Sequence, residues 1–122
     1  MARKSSDKKR ILLVDDERPI RSIVNALLSQ NNYVVVEAQN GLEALALFKT
    51  QQFDLVITDA DMPEMSGDQL VLEIKALAPT QPVILMTAHR TNVPGLETLP
   101  NVILDKPFPL ETLNAAVASL LV

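Results

Sequence analysis

The sequence has no cysteine and no tryptophan, only three glycines and only 3% aromatic residues in 122 positions. Without cysteine there can be no disulfide, no thiolate metal ligand and no thiol nucleophile. The glycines stand alone at Gly41, Gly67 and Gly95, so neither a P-loop nor a dinucleotide-binding glycine fingerprint can be assembled. Apolar runs stop at strand length, and no signal-type core follows the basic N-terminus. The sequence therefore predicts a soluble, cytoplasmic protein with no membrane contact.

What is present is a chain that is 48% hydrophobic, enough to fill one core and too short for two. The net charge of -4 divides unevenly, into +4 over residues 1–10 and -8 over the rest. Residues 1–9 are expected to be a basic, disordered leader and residues 10–122 one domain. A body this acidic is a poor binder of nucleic acid.

Leu55-Val56-Ile57-Thr58-Asp59 organises the rest. An unbroken apolar run that ends at a carboxylate, before a loop marked by Pro63 and Gly67, reads as a buried strand delivering Asp59 to a sheet edge. Ile11–Val14 predicts a first strand, which exits at Asp15-Asp16-Glu17. Tyr33–Val36 predicts a second strand near an edge, because Glu37 follows at once. Val83–Met86 predicts a fourth, exiting at Thr87, and Val102–Leu104 a fifth, exiting at Asp105-Lys106.

Helical spacing lies between these runs. Pro19 suits a first turn, and Ile20, Ile23, Val24, Leu27 and Leu28 form a stripe toward the sheet. Leu42, Leu45, Ala46 and Phe48 predict a second helix, and Leu70, Val71, Ile74 and Leu77 a third. Leu110, Leu113, Ala116, Val117, Leu120 and Leu121 mark the last, with Pro109 in its first turn. Residues 90–100 hold Pro94, Gly95 and Pro100 and no sustained period, so any helix there is short or distorted. Alternating strands and helices predict an α/β fold with a doubly wound parallel sheet.

In a flavodoxin-like (βα)5 sheet of order 2-1-3-4-5, the exits of strands one, three, four and five converge at the switch point. Asp15, Asp16, Asp59, Thr87 and Lys106 then meet. Three carboxylates at one spot repel unless a cation joins them, and oxygen-only donors favour a hard divalent ion, with Mg²⁺ the expected cofactor. A carboxylate-held ion facing a lysine and a hydroxyl is a receptor for a phosphoryl group. Asp59, at the centre, is placed to attack phosphorus.

Val14-Asp15-Asp16-Glu17, Asp59 with Met62-Pro63 and Gly67, Thr87-Ala88 and Lys106-Pro107-Phe108 together resemble the motif set of the bacterial two-component response-regulator receiver domain, chemotaxis-regulator-like, over about residues 10 to 122. The resemblance implies a signalling phosphoacceptor, not a turnover enzyme, that catalyses its own phosphorylation and dephosphorylation. It implies that Asp59 takes phosphate from a histidine kinase or phosphotransfer protein, and that Asp15, Asp16, Asp59 and the Asp61 backbone carbonyl hold Mg²⁺. Thr87 would be the switch hydroxyl, Lys106-Pro107 a cis peptide, and the output an unidentified domain or partner protein.

The chain departs from the family at the position three before the lysine, where Ile103 replaces the usual aromatic and cannot repeat a ring movement. Lys106 also follows Thr87 by 19 residues, a few fewer than is usual, which predicts a remodelled fourth helix and a non-standard output surface. The Asp61 side chain is expected to face solvent, and His89 to be an exposed loop residue. Two alternatives compete: a pseudo-receiver acting by contacts alone, and a haloacid-dehalogenase-like phosphatase suggested by Asp59-Ala60-Asp61. The second expects its paired acids late in the chain, whereas Asp15-Asp16 come first.

Overall fold

The computed structural model describes residues 8–88 and 99–122. Five strands, β1 (Arg10–Val14), β2 (Val34–Ala38), β3 (Leu55–Asp59), β4 (Val83–Thr87) and β5 (Val102–Asp105), form one parallel sheet of order β2-β1-β3-β4-β5. Four helices are described: α1 (Arg18–Gln30), α2 (Gly41–Thr50), α3 (Gly67–Leu77) and α4 (Leu110–Leu120). This is the expected sheet order, with β2 at an edge and β3 at the centre. The expected short helix over 90–100 falls mostly on residues outside those described, as do His89 and most of the leader.

Successive side chains of a strand point to opposite faces, and the apolar runs use both. Leu12, Val14, Val56 and Leu85 pack with Ala44 of α2 and with Leu70, Val71 and Ile74 of α3. Ile11, Leu13, Ile57 and Met86 pack on the other face, with Val24 and Leu28 of α1 and Leu113 and Val117 of α4. Each large aliphatic side chain buried this way contributes about 1.5–3 kcal/mol. With both faces covered, polar groups delivered by the strands emerge only at the sheet's ends.

Local chemistry starts the helices. The Asn40 side chain caps α2 by accepting from Glu43 N–H at 2.8 Å, while Glu43 reaches back to Gln39 N–H at 3.1 Å. Ser66 caps α3 by accepting from Gln69 N–H at 3.2 Å. α1 has no side-chain cap and begins instead with proline in its first turn.

The helical stripes are narrower than the sequence suggests. Only Val24 and Leu28 of α1 are fully buried, while Ile20 and Ile23 are exposed. Those two line a groove of about 460 Å³ between α1 and the β5–α4 turn, together with Lys106, Pro107 and Leu110. Leu42, Leu77 and Leu110 are also exposed, each at the end of its helix. Among the described residues no helix is long and apolar enough to cross a membrane.

Candidate functional site

The four strand exits meet at the carboxyl edge of the sheet. Asp15 follows β1 and is fully buried; its N–H donates to Ala38 O at 3.2 Å. Asp59 ends β3 with 1% of its surface exposed, opposite Met86 in the register, so that Thr87, also buried, stands one residue further along. Lys106 N–H donates to Thr87 O at 2.7 Å, which joins the exits of β4 and β5. The Lys106-Pro107 peptide is cis, as expected.

Lys106 Nζ donates to Asp59 Oδ1 at 2.6 Å. Carboxylate oxygens of Asp15, Asp16 and Asp59 lie within 4.8 Å of one another. Asp15 Oδ1 accepts from Glu17 N–H at 2.9 Å, whereas the buried Asp15 Oδ2 has no hydrogen-bond partner among the described residues. All five residues expected at the site are therefore brought together. Asp61 is exposed, as anticipated for its side chain.

The charges explain what the cluster needs. Burial pushes the Asp15 carboxyl up to about 6, partly countered by the Glu17 N–H and by Lys106, and reinforced by the neighbouring charges of Asp59 and Asp16. At Lys106 burial works to lower the pKa, but the hydrogen bond and charge of Asp59, helped by Asp15 and Asp61, outweigh it and hold the ammonium above its ordinary value. One ammonium thus faces several acids. A buried carboxylate oxygen without a partner among the described residues, grouped with two further carboxylates as the candidate ligands, fits a hard divalent cation such as Mg²⁺.

The loop after Asp59 is held by close contact. Gly67 N–H donates to Ala60 O at 2.9 Å, and a Cβ on Gly67 would stand 2.0 Å from the Asp59 carbonyl oxygen. Met62 and Met65 insert into the core on either side of Glu64, which turns the chain at φ 68°. Ile103 is half-buried and packs against the same core with Leu99.

One contributor lies outside the expected set. Arg21 Nη1 donates to Asp15 O at 2.7 Å, and Arg21 Nε to Glu37 Oε1 at 3.0 Å. Nothing in the helical period marks this arginine, because its partners come from two other segments.

A family model, the response regulator receiver domain, matches residues 11–118. The chain belongs to that family. Among curated relatives of this receiver domain, the response regulator MprA of Mycobacterium sp. (strain KMS) is 36% identical over 115 residues, 92% of this chain and 50% of MprA. The transcriptional regulatory protein ZraR of Escherichia coli (strain K12) is 40% identical over 110 residues, 88% of this chain and 25% of ZraR. The chain thus spans half or less of these relatives. The response regulator protein TrrA of Thermotoga maritima, solved in complex with Mg²⁺-BeF, superimposes with a TM-score of 0.85 at 34% identity, covering 92% of this chain and 98% of TrrA. TrrA in complex with the histidine kinase ThkA matches at a TM-score of 0.84 and 35% identity, covering 93% and 99%. Family membership and strand order set aside the haloacid-dehalogenase-like phosphatase.

Proposed function

We propose that this receiver domain is a phosphoacceptor, taking a phosphoryl group onto Asp59 from a phosphohistidine of a histidine kinase or phosphotransfer protein. The observation that carries the reading is the buried Asp59 carboxylate held by Lys106 Nζ at 2.6 Å, beside an Asp15 oxygen that nothing among the described residues satisfies. TrrA, similar over nearly all of this chain, has been seen with Mg²⁺-BeF and with a histidine kinase, which supports both the cofactor and the partner.

In this reading Asp15, Asp16, Asp59 and the Asp61 carbonyl would hold Mg²⁺, which when bound would supply positive charge to offset that of the phosphoryl group. An Asp59 carboxylate oxygen attacks phosphorus while the phosphorus–nitrogen bond breaks and its electron pair returns to the imidazole. Lys106 exchanges part of its pairing with Asp59 for a phosphoryl oxygen, and Thr87 donates its hydroxyl to another. The acyl phosphate carries about -1.5 to -2 charge, enough to draw the Thr87 and Lys106 segments together. At position 103 a half-buried isoleucine packed against the core stands in place of the family's aromatic ring, so that ring movement has no counterpart at this position.

The domain thereby catalyses its own phosphorylation and dephosphorylation, in the cytoplasm, behind a basic leader over residues 1–9. The groove beside Lys106, with exposed Ile20, Ile23 and Leu110, gives a kinase an apolar seat next to the acceptor. The signal passes to an output domain or partner protein. The decisive experiment is incubation with Mg²⁺ and a small phosphodonor, read by intact mass. Gain of one phosphoryl group, absent without Mg²⁺ and absent in Asp59→Asn, is the expected result. No gain with Mg²⁺ and donor in excess would leave the pseudo-receiver reading in its place.

A further inference from the structure

We propose that Arg21 is a positioning residue for the divalent ion: its guanidinium clamps the Asp15 main chain so that the open oxygen Oδ2 is presented to the ion, and Glu37 on β2 anchors the guanidinium. The inference rests on the reading of Asp15 as an ion ligand and adds a residue that the motifs do not contain.

Asp15 has four polar handles, and three are fixed. Its N–H donates to Ala38 O at 3.2 Å, its carbonyl accepts from Arg21 Nη1 at 2.7 Å, and its Oδ1 accepts from Glu17 N–H at 2.9 Å. Only Oδ2 is left open among the described residues. The bond from Arg21 is the one fixed by a side chain, and it comes from the helix that the Asp15-Asp16 turn leads into. The same guanidinium donates Nε to Glu37 Oε1 at 3.0 Å, Glu37 Oε2 accepts from Asn25 Nδ2 at 2.6 Å, and Asn25 Oδ1 accepts from Ser29 Oγ at 2.7 Å. The turn bearing the acids is thus tied to α1 and to the edge strand at once.

Two features separate this from an ordinary surface ion pair. The Arg21 side chain is only 13% exposed, and it spans a main-chain carbonyl and a carboxylate with two donors of one rigid plane. A lysine ammonium, a compact charge on a flexible stem, retains the positive charge without that fork. Groups that orient a metal ligand commonly change ion affinity by about 10- to 100-fold when removed.

The test uses the full chain and Mg²⁺ itself. Dissociation constants are measured by calorimetry for wild type, Arg21→Lys and Glu37→Gln, with metal-free hydrogen exchange at the Asp16 and Glu17 amides and a urea midpoint for each. Arg21→Lys is expected to weaken Mg²⁺ by about tenfold and to speed exchange at Glu17, with the urea midpoint near wild type. Glu37→Gln retains an acceptor for Nε and is expected to weaken Mg²⁺ by roughly two- to threefold. An Arg21→Lys affinity equal to wild type overturns the proposal, since charge alone would then suffice. A fall in the urea midpoint with unchanged Mg²⁺ affinity also overturns it. Should Arg21→Lys fail to fold, Glu37→Ala at an exposed position leaves Arg21 present but unanchored, and unchanged affinity there has the same force. Absence of Mg²⁺ binding in the wild type removes the ion-ligand reading itself, a result distinguishable because it precedes any variant.

Discussion

Replacing Asp15 by asparagine should stabilise the metal-free protein while abolishing what it gains from Mg²⁺. In the fold the Asp15 carboxyl titrates near 6, against 3.8 without the surroundings. At about 1.4 kcal/mol for each pH unit, that gap makes the charged form cost about 3 kcal/mol. Asparagine has the same size and retains an acceptor for the Glu17 N–H. That balance already contains the Glu17 bond, whereas an asparagine Nδ2 in place of the buried, open Oδ2 costs about 1 kcal/mol, which leaves a net gain of about 2 kcal/mol at pH 8. The sign follows from linkage. The folded state holds the Asp15 proton more tightly than the unfolded state, so this contribution to stability is complete below pH 3.8 and is lost as pH rises to about 6. The difference between Asp15→Asn and wild type should therefore open across that window and stay flat above it. Urea unfolding followed by circular dichroism, in chelator from pH 4 to pH 8, measures it. Mg²⁺ at a hundredfold excess over its dissociation constant adds about 2.7 kcal/mol to wild type and little to the variant, so the ranking should reverse. A variant less stable than wild type at pH 8 in chelator, or a difference that ignores pH, refutes the reasoning.

Four further substitutions probe other parts of the argument. Lys106→Met leaves the buried Asp59 without its cation and should cost about 2 kcal/mol in chelator, less than a fully buried pair because the lysine side chain is 29% exposed; Mg²⁺ should recover most of the loss, and a variant as stable as wild type counts against the pairing. The same lysine links stability to high pH: its elevated pKa makes its contribution whole below 10.5 and lost as pH rises through the folded value, so wild type, unlike Lys106→Met, should show this linked loss. Gly67→Ala drives a Cβ to 2.0 Å from the Asp59 carbonyl, and a cost of about 3 kcal/mol with weakened Mg²⁺ binding is expected; wild-type values for both would show that the loop is not clamped. Finally, Leu28→Ala should cost about 3 kcal/mol and Ile23→Ala under about 0.5 kcal/mol by urea unfolding, and equal losses would contradict the burial difference within α1.

The strands were legible because each is a short apolar run ended by a polar residue, and a sheet covered on both faces tolerates no other pattern. Asp15, Asp16, Asp59, Thr87 and Lys106 could be picked out for the same reason: a charged or hydroxyl group closing such a run is forced to the sheet's end. The helices were read less well. Period alone puts Ile20 and Ile23 in the same stripe as Val24 and Leu28, yet the first two face the groove beside Pro107 and Leu110. Which part of an amphipathic face is covered depends on where the sheet and neighbouring turns end.

Composition and hydrophobic pattern were thus sufficient for the alternation of strands and helices and for the acids and lysine at the strand exits, since a short apolar run closed by a polar residue is a local feature of the chain. The open Oδ2 of Asp15, the clamp from Arg21 and the close approach of Gly67 to the Asp59 carbonyl were decided only in three dimensions. Each depends on how a turn sits against the element beside it, and no periodicity along one segment encodes the position of another.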